Sequence, residues 1–130
     1  MIQNTIPELF SDGKVVFPGK TIDAAMLPWY EHPAFKGVLL KDLVTAVDTN
    51  GAFSCHVVKI SKGFEVGEHN HNAEWEFNEA VEGCGPLILD GVTHSCRPGF
   101  TCVTPPGVPH IVSAPYEDIC LLAKFVPALK

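Results

Sequence analysis

The chain has 130 residues, 46% of them hydrophobic and 18% charged, with a formal net charge of −6. That is enough chain for one buried core but not two, and the apolar content sets it apart from disordered sequences. The acidic balance and the lack of any Lys/Arg cluster argue against a nucleic-acid partner and against an anionic membrane surface.

The opening run MIQNTIPELFSDGK has no basic stretch followed by an apolar one, so no signal peptide is expected. No segment approaches the roughly 20 apolar residues of a membrane-spanning helix. Five cysteines (Cys55, Cys84, Cys96, Cys102 and Cys120) form an odd set without close pairs, which fits reduced thiols in a cytoplasmic protein. They read as small core residues first and as a redox-sensitive thiol or extra soft ligand second.

In chain order, residues 1–14 end in a Ser11-Asp12-Gly13 turn, and Val15–Phe17 reads as a short strand closed by Pro18-Gly19. Residues 21–37, with Pro28, Pro33 and several aromatics, read as an extended arm lying on the main body or on a neighbouring subunit. Strands are expected over 38–44, 53–60 and 64–68, with a turn at Asp48-Thr49-Asn50-Gly51. Leu87–Leu89 and Val92–Cys96 flank Asp90-Gly91, a pair that suits a two-residue type I′ hairpin. Further strands are expected over 100–104, 111–114 and 119–125. Eight to ten short strands with frequent turns fit an all-β barrel or jelly roll, roughly 38–126, preceded by the arm 1–37.

The strand Ile119–Phe125 is apolar on both faces: Ile119, Leu121, Ala123 and Phe125 on one, Cys120 and Leu122 on the other. Such a strand is covered twice. One face can fill the barrel and the other needs the arm or a second subunit, so a homodimer is expected.

Two stretches carry the chemistry. In the first, His69 and His71 lie two apart, which on a strand puts both imidazoles on one side about 6.5–7 Å apart. Glu76 follows closely enough to add a carboxylate after a short bend, with Glu74, of the same parity, as the fallback. In the second, the rigid Pro105-Pro106-Gly107-Val108-Pro109 segment delivers His110 at the start of a strand. His56 and His94 are not expected to be ligands, and His32, beside Pro33 in the arm, has no evident partner. Imidazole nitrogens with one carboxylate suit divalent first-row metals.

Together the stretches read Gly63-x5-His69-x-His71-x4-Glu76-x6-Gly83 and Gly99-x5-Pro105-x-Gly107-x2-His110. This pair resembles the two motifs of the cupin family, with the spacing right in each. One departure is Ala114, where the family often has Asn four residues after the last His. The resemblance implies a single-domain antiparallel cupin β-barrel (a double-stranded β-helix, or jelly roll) holding one divalent metal, Fe, Mn, Ni or Zn, on His69, His71, Glu76 and His110. By parity Asn78 and Ala80 should accompany Glu76, and Val112 and Ala114 should accompany His110, as pocket residues.

A small, mostly apolar pocket with few cations suits a small keto, hydroxy or carboxylate ligand rather than a sugar phosphate. The function expected from the resemblance is a metal-dependent enzyme, a dioxygenase-type oxidoreductase using iron. The alternatives are a metal-dependent lyase or isomerase, a non-catalytic binding or sensor module, and a purely structural metal.

Overall fold

A computed structural model describes residues 4–130 of the chain. Its core is two antiparallel sheets facing each other, and the strands of each are set by side-chain alternation. The six-stranded sheet runs in the order β10 (Thr101–Thr104), β7 (Trp75–Glu82), β12 (Ile119–Val126), β5 (Ser54–Ile60), β4 (Val38–Val44) and β3 (Tyr30–Glu31). The four-stranded sheet runs β6 (Glu65–His69), β11 (His110–Ser113), β8 (Gly85–Leu89) and β9 (Val92–Cys96). This is the antiparallel jelly roll expected from the sequence.

The β8–β9 hairpin closes through Asp90 and Gly91, both at positive φ (49° and 79°), as a type I′ turn requires. Gly83, at the end of the first motif, sits at φ 86°, and a Cβ there would lie 2.0 Å from the Asp118 carbonyl oxygen. Only glycine fits that corner.

Strand β12 divides as its sequence pattern says. Ile119, Leu121, Ala123 and Phe125 pack with Val58, Ile60, Val66, Leu87 and Val112 in the space between the sheets. Cys120 and Leu122 join a second cluster with Ala24, Leu43 and Val57, against which Val15 and Leu27 also pack. The arm of the same chain therefore buries the outer face, and this strand no longer calls for a second copy.

The arm is more structured than a plain extended segment. Helix α1 (Ile6–Ser11) starts at Thr5, whose hydroxyl accepts the Glu8 N–H, and carries Pro7 in its first turn. Strand β1 (Lys14–Phe17) pairs with β2 (Lys20–Asp23) across Pro18-Gly19. A 3-10 turn over Ala24–Met26 follows, and β3 then extends the six-stranded sheet, so barrel pairing begins before residue 38.

Lys41 fixes the arm to the sheet. Its side chain is 2% exposed, and Nζ donates to the carbonyls of Ser11 (2.7 Å) and Ala24 (2.9 Å) beneath the Trp29 ring. A second short helix, α2 (Ala46–Thr49), replaces the start of the turn expected at 48–51. The Asp48 carboxylate accepts from the Thr45 N–H, and Asn50 ends the helix at φ 53°.

The cysteines are free, and Cys96, Cys102 and Cys120 lie in the core. Burial pushes the Cys96 and Cys120 thiols up to about 11, which leaves them as unreactive packing residues. No helix among the described residues is long and apolar enough to cross a membrane.

Candidate metal centre

Four side chains meet between the two sheets. His69 is the last residue of β6, His110 the first of β11, and the two are directly paired across the four-stranded sheet. Glu76 comes from β7 in the opposite sheet. His71 lies beyond the end of β6, in the loop to β7, rather than on a strand as its spacing implied. That loop is held in place because the Gly107 N–H donates to the His71 carbonyl at 2.7 Å, tying the proline-rich turn of the second motif to the first. The register of β11 against β6 shifts between His110 and Val112, just past the ligand.

One ligand atom from each of His69, His71, Glu76 and His110 lies within 4.8 Å of the others. The fallback, Glu74, lies outside this group; its carboxylate accepts from the neighbouring Ala73 N–H. His56 and His94 are also outside it, as expected.

Hydrogen bonds fix the imidazole tautomers. His69 Nδ1 lies 2.7 Å from the Gly67 carbonyl and His110 Nδ1 lies 3.1 Å from that of Val108. A carbonyl oxygen only accepts, so both Nδ1 atoms carry the proton and both Nε2 lone pairs are free to bind a cation. Phe125 packs edge-on against His71, with ring centroids 4.9 Å apart, and Phe35 packs against His69.

Glu76 is held from behind. Asn78 Nδ2 donates to Oε2 at 2.8 Å, which leaves Oε1 to face the histidines. Oε1 lies 2.9 Å from His110 Nε2 and 3.5 Å from His71 Nε2, yet these contacts lack hydrogen-bond alignment. His71 Nε2, His110 Nε2, Glu76 Oε1 and Asn78 Oδ1 are all buried without a hydrogen-bond partner. Buried polar atoms are rarely left so. Three of them converge on one point, and a divalent cation there satisfies all three at once, so the donor set fits a metal.

Electrostatics agree. Burial pushes the Glu76 carboxyl up, but His110 and His71 beside it bring it down to about 2. Burial lowers His69, whereas for His110 the Glu76 carboxylate overcomes burial and raises it.

The cluster opens into a cavity of about 340 Å³, at the small end for ligand pockets. Asn78 and Val112 line it. Ala80 and Ala114 do not: both are buried in the core, 7% and 0% exposed. Parity speaks for the face of a strand and not for how far along the barrel the cavity reaches.

Sequence reasoning missed Tyr30, Asp42 and Lys130, and it gave His32 and His56 no partner. Tyr30, His32, His56 and Lys130 all line the cavity. Tyr30 donates to Asp42 Oδ1 at 2.6 Å, and His56 Nδ1 lies 2.7 Å from the same oxygen. The signal for the pair was the alignment of 38–44 with 53–60, which sets Asp42 opposite His56.

A family model described as Cupin domain matches residues 56–124, more than half of the chain. The chain belongs to the cupin family. No protein with a curated description matches this cupin in sequence. Among solved structures, it is similar to a cupin from Shewanella frigidimarina described as RmlC-like (23% identity, TM-score 0.71, covering 82% of this chain and 88% of that one). It is also similar to a predicted oxalate decarboxylase from Thermotoga maritima (23%, TM-score 0.70, 79% and 95%). A third is the polyketide cyclase RemF from Streptomyces resistomycificus (21%, TM-score 0.70, 82% and 78%). At these identities the likeness is one of fold.

Proposed function

We propose that this cupin holds one divalent metal ion on His69, His71, Glu76 and His110 and is a metal-dependent enzyme of the dioxygenase type acting on a small organic acid. The observation that carries the reading is the convergence of His71 Nε2, His110 Nε2 and Glu76 Oε1, buried together without partners. Iron, manganese, nickel and zinc all suit three imidazoles and a carboxylate. Bound there, such an ion supplies a Lewis-acid centre with open positions for oxygen ligands.

The chain's own residues set the conditions. Asn78 orients Glu76, and the Gly67 and Val108 carbonyls orient two imidazoles. Leu40, Val58, Val66, Leu121 and Phe125 give the cavity a largely apolar wall beside the cluster.

A lyase or isomerase would draw on a protein acid or base, or on water activated by the ion, beside the reacting carbon. Here Tyr30 and His56 have their protons committed to Asp42. Burial, and then Asp42, also push the Tyr30 hydroxyl well above its ordinary value. An oxygenase draws on the open positions of the ion and makes no demand on these residues.

The test is O₂ consumption by iron-loaded protein over a panel of keto, hydroxy and phenolic acids. Uptake with at least one substrate is expected. Turnover that proceeds equally without O₂ would replace this reading with a lyase or isomerase, and binding without turnover would replace it with a sensor.

A further inference from the structure

The cavity has a second polar group of residues, at its mouth, where Tyr30 and His32 are half-buried and Lys130 is exposed. Partner chemistry fixes the direction of each hydrogen bond there. The Asp42 carboxylate only accepts, so the Tyr30 hydroxyl and His56 Nδ1–H both donate to it. With the ring neutral, His56 Nε2 accepts from the Ser54 hydroxyl at 2.9 Å, and Ser54 Oγ in turn accepts the Leu129 N–H at 3.0 Å. In that form every proton in this chain of bonds is spent within the protein.

Two donors are left over. Lys130 Nζ gives one hydrogen bond to the Tyr30 oxygen (3.2 Å) and lies 4.4 Å from that ring's centroid, while an ammonium has three N–H groups. No carboxylate among the described residues lies within ion-pair distance of it. Asp42, the nearby acid, takes the Tyr30 and His56 donors on Oδ1 and forms no ion pair with Lys130. His32 Nδ1 accepts the Ala34 N–H at 3.0 Å, so its ring proton sits on Nε2. Burial, then Lys130 and His71, hold His32 below its ordinary value, which keeps that single-proton form. At the metal end the polarity is reversed: Asn78 Oδ1, on a side chain 6% exposed, is an acceptor without a partner.

We propose that Lys130 and His32 form an anion-recognition point, and that the cavity takes a short dicarboxylate bearing a hydroxyl. One carboxylate and the hydroxyl face the metal cluster, with the hydroxyl proton directed to Asn78 Oδ1. The far carboxylate lies on Lys130 Nζ and His32 Nε2. The chelating half of this ligand rests on the metal reading above; the far carboxylate does not.

The test uses isothermal calorimetry at fixed ionic strength on nickel-loaded protein. The probes are malate, 2-hydroxyglutarate and 2-hydroxyadipate, each against the 2-hydroxy monoacid of the same chain length. One charge-assisted hydrogen bond makes the expected preference for one diacid about tenfold. Lys130→Met should abolish the preference while leaving monoacid affinity and nickel content unchanged, and Lys130→Arg should keep most of it. The proposal is overturned if no diacid binds, if every preference is below about threefold, or if Lys130→Met leaves the preference in place. Repeating the series on metal-free protein separates the two readings. If affinity does not depend on nickel while the diacid preference still depends on Lys130, the metal reading fails and the anion site stands.

Discussion

Asn78 donates its side-chain N–H to Glu76 Oε2 at 2.8 Å, and this contact decides which carboxylate oxygen faces the three imidazoles. Asn78→Leu removes the donor and leaves a buried carboxylate oxygen without a partner. Loss of such an outer contact typically weakens a metal site about 10–100-fold. Competition with a chromophoric chelator should show a shift of that size. An unchanged affinity would deny Asn78 its orienting role.

His110→Ala removes one imidazole of three and leaves the backbone pairing of β11 with β6 and β8 in place. Metal content per chain, measured by elemental analysis, should fall to roughly a tenth or less. Glu74→Gln is the matched control: its carboxylate lies outside the cluster, so metal content should not change. Full retention by His110→Ala would refute a site built from both motifs.

Metal-free protein should lose stability in acid because of Glu76. Its carboxyl is held at about 2, against an ordinary 4.5, despite burial. A depressed carboxyl stabilises the fold above its unfolded value, and that stabilisation is lost as pH falls from about 4.5 toward 2. The loss is on the order of 3 kcal/mol. Urea unfolding at pH 5 and near pH 2.5 should show it in the wild type and a shallower decline in Glu76→Gln. Parallel acid limbs in the two proteins would sink the assignment.

Lys41→Met keeps most of the apolar stem but strips the Ser11 carbonyl of its donor and the Ala24 carbonyl of one of two, the Leu27 N–H remaining. The cost should be about 2 kcal/mol in the denaturant midpoint. Limited proteolysis should also cut within residues 5–30 earlier than in the wild type. A protease pattern identical to wild type would show that apolar packing alone holds the arm.

What the sequence disclosed depended on how local each constraint was. His69, His71 and Glu76 lie within one short stretch, and His110 follows a rigid proline turn, so their spacing could be read directly. The two-faced pattern of 119–125 was equally plain, because alternation is a property of one strand. Which element covers the second face was not, since Ala24 and Val15 reach it from the far end of the chain. Lys41 shows the same blindness: nothing local says that a lysine between Leu40 and Asp42 will point under the arm. Asp42 and His56 meet only through the pairing of β4 with β5, and Lys130 reaches Tyr30 across nearly the whole chain. Such contacts belong to topology rather than to pattern.

The split origin of the ligands has a mechanical consequence. His69 and His110 ride on one sheet and Glu76 on the other, so an ion among them acts as a rivet through the sandwich. Any breathing that separates the layers must stretch its coordination bonds. Amide protons in the centres of β6, β7 and β11 would then exchange more slowly in step with occupancy, while those of the β1–β2 hairpin, fastened elsewhere, would not respond.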